Sequence, residues 1–348
     1  MRELFQAVLR KDVAAIERMV RNGADVNSTD PHGATVLYYA ALESFLAGVH
    51  SLLSLGADPN KRADDGFTAL MKSAEGGDIE VVKALVEGGA DVHISSNEGC
   101  TPLHAAVYSR NIACMQALID AGADMNQTDD DGETPIYAAV RAGQSDCVQA
   151  LIAAGADVSK PNLHGVTPVH AAALDGSITC IRALIAAGAD VNSATFDTWT
   201  PIHLAARGGH IASIRALIAA GANVNATGAD SATALYCAAQ NNHLEAIKVL
   251  YKAGADMTIC HRSTSPAAIA RHQGHEEAAA RIQKMLAKIQ GECGHCGSSS
   301  RRLSVCARCQ KVRYCSAECQ KADWKAHKRE CVPTPGPTPL SVSGADAT

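Results

Sequence analysis

Residues 101–135 read TPLHAAVYSRNIACMQALIDAGADMNQTDDDGETP, and this stretch decides the fold. Thr101 is a helix cap, and Pro102 takes the first helical turn, where no amide hydrogen is needed. The pair Ala105-Ala106 is small enough to let a neighbouring helix approach closely. A second helical stretch follows and ends near Gly122. The run from Asp124 to Gly132 is rich in turn formers and reads as extended and turn-like. Thr134-Pro135 then starts the unit again, 33 residues after Thr101.

Both markers persist along the chain. Gly-Ala-Asp or a close variant ends at Asp25, Asp58, Asp91, Asp124, Asp157, Asp190, Asn223 and Asp256, always 33 apart. Thr keeps the same period at 35, 68, 101, 134, 167, 200 and 233. It opens Thr134-Pro-Ile-Tyr-Ala-Ala, Thr167-Pro-Val-His-Ala-Ala and Thr200-Pro-Ile-His-Leu-Ala. Two independent markers locked to one period define an internal repeat. Within a unit the second helix is predicted over, for example, Ile79–Glu87, with Val82, Leu85 and Val86 at helical spacing for one buried face. Gly88-Gly89 ends it, because glycine accepts the left-handed conformation of a C-cap.

These motifs resemble the ankyrin repeat over roughly residues 1–289. The resemblance implies an all-α solenoid of about nine helix pairs including caps, with projecting loops and a concave binding face. The first unit lacks Thr-Pro and starts at Glu3-Leu4, as an N-terminal cap should. A ninth, from Ser265-Pro266, lacks the closing marker and is expected to cap the other end. The loop glycine is replaced by Thr198 and Ser231, so those two loops are expected to differ in shape.

Composition bounds the rest. The chain is 47% apolar but only 4% aromatic, so its core is expected to be built from Ala, Leu, Ile and Val. A formal charge of −5 argues against general nucleic-acid binding. No run of about 18 apolar residues exists to span a membrane. The opening MRELFQAVLRKD has no apolar core of a signal peptide. An intracellular setting, cytoplasm or nucleus, is therefore expected, where thiols stay reduced. Thirteen cysteines then need a reason other than disulfides, and seven of them fall within 293–331, which points to metal.

The spacing there is C-x2-C-x9-C-x2-C-x5-C-x3-C-x7-H-x3-C. Seven Cys and one His make eight ligands, two tetrahedral zinc sites without remainder. Four thiolate-rich ligands per ion leave no open position for a reacting water, so both Zn2+ ions are expected to be structural. The segment resembles the MYND-type zinc finger over 293–331, including Tyr314 before the fifth ligand and Trp324-Lys325 before the histidine. That resemblance implies interleaved sites, with Cys293, Cys296, Cys315 and Cys319 on one zinc and Cys306, Cys309, His327 and Cys331 on the other. It also implies docking of short proline-containing peptides, for which Gln320 and Trp324 are candidates. Residues 332–348, VPTPGPTPLSVSGADAT, lack a periodic apolar pattern and read as a disordered Pro-rich tail.

An ankyrin stack has no catalytic constellation of its own, so function belongs to its variable positions. Asp64, Asp65, Glu98, Asp130, Asp131 and their neighbours form an acidic ladder at the loops. They are turn formers and, equally, a track for a basic segment. Phe67, Phe196 and Trp199 are read as tip aromatics in a chain with four Phe and two Trp, and aromatics favour interface hot spots. Tyr108, Arg141 and Arg207 on the inner helix join them as candidates. His104, His170 and His203 recur at the repeat period and are read as structural, as are Cys114, Cys147 and Cys180.

The sequence thus describes three segments: a solenoid at 1–289, a finger at 293–331 and a tail at 332–348. The function expected is that of a non-enzymatic adaptor, monomeric alone, whose partners are proteins or peptides rather than small molecules, nucleic acid or membrane. A nuclear corepressor-type chromatin adaptor is the alternative, followed by an accessory subunit of a methyltransferase or ubiquitin-ligase complex.

Overall fold

The computed structural model describes residues 2–291 and two short strands, Ser304–Val305 and Arg313–Tyr314. The zinc ligands, Gln320, Trp324 and the tail lie outside the described residues. Among the described residues, eighteen α-helices follow one another as nine pairs, from Arg2–Leu9 with Val13–Arg21 to Pro266–His272 with Glu276–Gly291. The last helix runs two residues past Ile289, where the periodic reading ends it.

Each first helix packs on the first helices of its neighbours and each second helix on the second, which makes a two-layer stack. The capping chemistry places the helix starts. Thr35, Thr134 and Thr233 accept the amide hydrogen three residues on, at 3.1, 3.3 and 3.2 Å. Such a cap contributes about 1 kcal/mol. Pro102, Pro135, Pro168 and Pro201 occupy the first turns. Ala106, Ala139, Ala172 and Ala206 are fully buried in the first-helix layer, where their small side chains permit close stacking. Leu103, Leu118, Ile136, Leu151 and Leu184 fill the space between the layers, so the core is aliphatic, as composition requires.

The loops are joined to one another by backbone. The amide of Asp64 donates to the His32 carbonyl at 2.9 Å. The same bond recurs from Asn97 to Asp65, Asp130 to Glu98, Leu163 to Asp131 and Phe196 to His164, at 3.0 to 3.3 Å. Glycine makes this approach possible. At Gly132 φ is +76°, and a Cβ there would lie 2.8 Å from the backbone nitrogen of Leu163.

Thr198 corrects the expectation that its loop differs. The Thr195 amide still donates to the Trp199 carbonyl at 2.9 Å and the Thr198 amide to the Thr195 carbonyl at 2.8 Å, with Thr198 itself at φ 63°. The consequence falls on the next loop, whose Ala229 amide makes no bond to the Asp197 carbonyl. A side chain now stands where glycine lets the neighbouring backbone come in. The Ser231 loop does change. Ala229–Ser231 forms a 3-10 turn with Asp230 and Ser231 at φ 54° and 66°. Ser265 then caps the ninth pair, its hydroxyl accepting the Ala268 amide at 3.2 Å.

A candidate partner-binding groove

One position in each repeat, the residue just before the helix cap, lines the inner side of the stack. Its occupants along five consecutive repeats are Phe67, Cys100, Glu133, Val166 and Trp199. Four cavities of about 220, 650, 530 and 310 Å³ run along this row. The first two share Glu98, Cys100 and Tyr108; the second and third share Asp131, Glu133 and Arg141; the third and fourth share Trp199. They are successive parts of one groove between the loops and the first helices.

This register corrects the placement of two aromatics. Phe67 and Trp199 are not at loop tips; only Phe196 is, with 76% of its surface exposed. Phe67 and Trp199 are half-buried, because the chain at their position is already turning into the helix. The Lys72 ammonium lies 4.4 Å from the Phe67 ring centroid and pairs with Glu75 at 2.7 Å. The Trp199 ring meets His203 edge-on, with centroids 5.4 Å apart. Leu163, at the tip one repeat before Phe196, is 63% exposed and escaped the sequence reading, which looked for charge and aromaticity. The signal was available in the 33-residue register.

The acidic residues divide by what their carboxylates already do. Asp129 accepts the amides of Asp131 and Glu133 at 3.0 and 2.8 Å, and Asp65 that of Phe67 at 2.9 Å, so these two hold their own turns. Asp230 pairs with Arg262. Asp64, Glu98, Asp130 and Asp131 are exposed, and their carboxylates have no hydrogen-bond partner among the described residues. Glu133 bonds to the Arg141 guanidinium at 3.3 Å. Burial raises the Glu133 carboxyl above the ordinary range while Arg141 works against it, and Arg141 is itself raised by Glu133. Tyr108, Arg141 and Arg207 stand at the C-terminal ends of three first helices, on the groove wall. Burial pushes the Tyr108 phenol up to about 12, so it stays a neutral hydroxyl.

The groove therefore carries Glu75, Glu98, Asp129, Asp130, Asp131, Glu133, Asp175 and Asp197 against Arg141 and Arg207. Among the described residues these carboxylates do not converge as a metal cluster. They are spread along a wall of the groove.

The recurrent histidines do structural work. The Nδ1 atoms of His104, His170 and His203 each accept the amide of the capping threonine at 3.2 Å. Their Nε2 atoms reach the carbonyls of Glu133, Trp199 and Ala232 in the next loop at 3.1, 3.0 and 3.0 Å. Burial lowers all three imidazoles below the usual histidine range. Cys114, Cys147 and Cys180 are buried core residues, and burial raises the Cys114 thiol to about 11.

Within the finger segment, Ser304 pairs with Tyr314 and Val305 with Arg313 in an antiparallel ladder. Seven thiols and one imidazole are a donor set suited to zinc.

Family comparison agrees with this architecture. The ankyrin-repeat family matches three times, over 44–129, 111–195 and 192–261, and the MYND finger matches over 293–331. The chain belongs to the ankyrin-repeat family and carries a MYND-type zinc finger, a zinc-binding domain. Both are protein-interaction modules, and neither is catalytic. The SMYD relatives match over the finger alone. "SET domain-containing protein 14" of Caenorhabditis elegans is 46% identical over 44 residues, 13% of this chain and 10% of that protein. "N-lysine methyltransferase SMYD2" of Homo sapiens is 49% identical over 41 residues, 12% and 10%. The chain thus spans about a tenth of the length of these relatives. No helix among the described residues is long and apolar enough to cross a membrane.

Proposed function

We propose that this protein is a non-enzymatic adaptor that holds a basic segment of one partner in the ankyrin groove and docks a proline-containing peptide of another on the finger. The observation that carries the reading is the continuous groove, with exposed carboxylates from successive repeats along one wall and aromatic side chains along its floor. Complementary charge would steer and orient a basic partner. Joining two modest sites in one chain raises the effective concentration of each partner for the other. Two structural zinc ions, held by the two four-residue sets given above, would keep the finger folded, since so short a segment cannot build a core of its own. On this reading the protein works as a monomer in the cytoplasm or nucleus, without small-molecule substrate, nucleic acid or membrane.

The test is a paired capture from cell lysate with three full-length proteins: wild type, Cys306→Ala/Cys309→Ala, and Asp130→Asn/Asp131→Asn. The reading expects one set of partners lost with the finger variant and a different set lost with the groove variant. A single set, lost together or untouched by either variant, would refute the adaptor reading. The finger's likeness to lysine methyltransferases favours a second reading, an accessory role beside such an enzyme. It would show as methyltransferase activity in the finger-dependent set.

A further inference from the structure

The row of residues before the helix caps carries a pattern along the groove. Glu133 stands at its centre, with Phe67 two repeats to one side and Trp199 two repeats to the other. Between them lie the small Cys100 and the aliphatic Val166. Each aromatic ring stands with large apolar neighbours toward one end of the groove: Phe67 with Met71, and Trp199 with Leu174 and Leu204. Both hollows are mixed in character, the Phe67 hollow taking in Glu75 and Glu98 and the Trp199 hollow Asp131, Glu133, Asp175 and Asp197, whereas the central cavity walled by Glu98, Asp130, Asp131 and Glu133 has no large aliphatic side chain. A purely acidic track would need no large apolar side chains at its two ends.

Stacked helices are spaced by roughly 8–10 Å, so Phe67 and Trp199 each lie roughly 16–20 Å along the row from Glu133. An extended chain covers about 3.3 Å per residue, and so spans each half in about five or six residues. Resting on the reading that the groove holds a basic segment, we infer that it selects one pattern. The partner is an extended peptide with Lys or Arg in the middle and an apolar side chain about five or six residues away on each side. Charge then supplies attraction and the two hollows supply register. The pattern leaves the direction of the bound chain open, because an aromatic stands two repeats to either side of Glu133.

The test uses the full-length zinc-loaded protein and fluorescein-labelled 15-residue peptides. One peptide has leucines flanking a central Arg-Lys pair at this spacing, a second contains the same residues in shuffled order, and a third replaces the Arg-Lys pair with Gln-Gln. The patterned peptide is expected to bind at least tenfold more tightly than the shuffled one. Phe67→Leu and Trp199→Leu are each expected to weaken it about fivefold or more while leaving the shuffled peptide unchanged. Phe196→Ala at the loop tip is expected to change neither, and circular dichroism melts confirm that each variant is folded. Equal binding of patterned and shuffled peptides would overturn the pattern while leaving a basic-segment groove intact. Equal binding of the Gln-Gln peptide, or no binding of any basic peptide, would overturn both readings. Self-association abolished by Glu133→Gln would assign the groove to a second copy of the chain, and would likewise overturn the proposal.

Discussion

Arg110 closes the turn between its two helices at φ 56°, where Gly77, Gly143, Gly176 and Gly209 occupy the same turn in other repeats. A non-glycine residue there costs roughly 1–2 kcal/mol, of which the extra freedom of unfolded glycine would return about half. Arg110→Gly is therefore expected to stabilise the protein by about 0.5–1 kcal/mol in urea unfolding, and an unchanged or lower midpoint would contradict this. The recurrent histidines make a second residue-scale prediction. His104, His170 and His203 are held below the usual range by burial, so the unfolded chain binds protons that the folded chain refuses. The stability they contribute is fully present above their unfolded pKa, about 6.5, and is lost as pH falls below it. Protonation at Nδ1 would also remove the acceptor for the threonine amide. Unfolding free energy is expected to fall between pH 7 and pH 5.5, and a flat profile would show that these imidazoles titrate normally.

At the scale of elements, the loops form a backbone ladder whose continuity depends on glycine. Gly132→Ala would place a methyl group 2.8 Å from the Leu163 nitrogen and force a left-handed alanine. The expected cost is about 1–3 kcal/mol. Hydrogen exchange should locate it, with the Leu163 amide losing protection while amides of the helix Ile211–Ala219 keep theirs. Protection lost along the whole stack would mean that the ladder acts globally. Thr198 shows the natural form of this change: its own loop keeps its shape, and the bond to the following loop is absent.

For the whole molecule, the separate origin of stability in the two modules is decisive. The solenoid rests on an aliphatic core and nearest-neighbour stacking, neither of which needs metal. A zinc finger this short is expected, in contrast, to fold only with bound zinc. Chelation is expected to leave the helical circular dichroism signal and the main melting transition unchanged while abolishing finger-dependent partner capture. Loss of the helical transition with chelator would mean that the stack depends on the finger.

Much of this protein was legible in its residues. The 33-residue period, the Thr-Pro caps and the MYND-type cysteine spacing at 293–331 needed only local chemistry, because a cap, a turn glycine or a C-x2-C knuckle acts on its immediate neighbours. Helix Ile79–Glu87 falls where its apolar spacing predicts. The side of the stack on which each variable residue emerges was not legible. Phe196 and Trp199 are three residues apart, yet one is an exposed tip and the other faces the groove. Only stacking decides that, because the groove is made between repeats, by side chains 33 residues apart in sequence that the solenoid brings side by side. The same holds for the acidic residues: composition names them, but only the loop hydrogen bonds tell Asp129, which holds its own turn, from Asp130 and Asp131, whose exposed carboxylates line the groove.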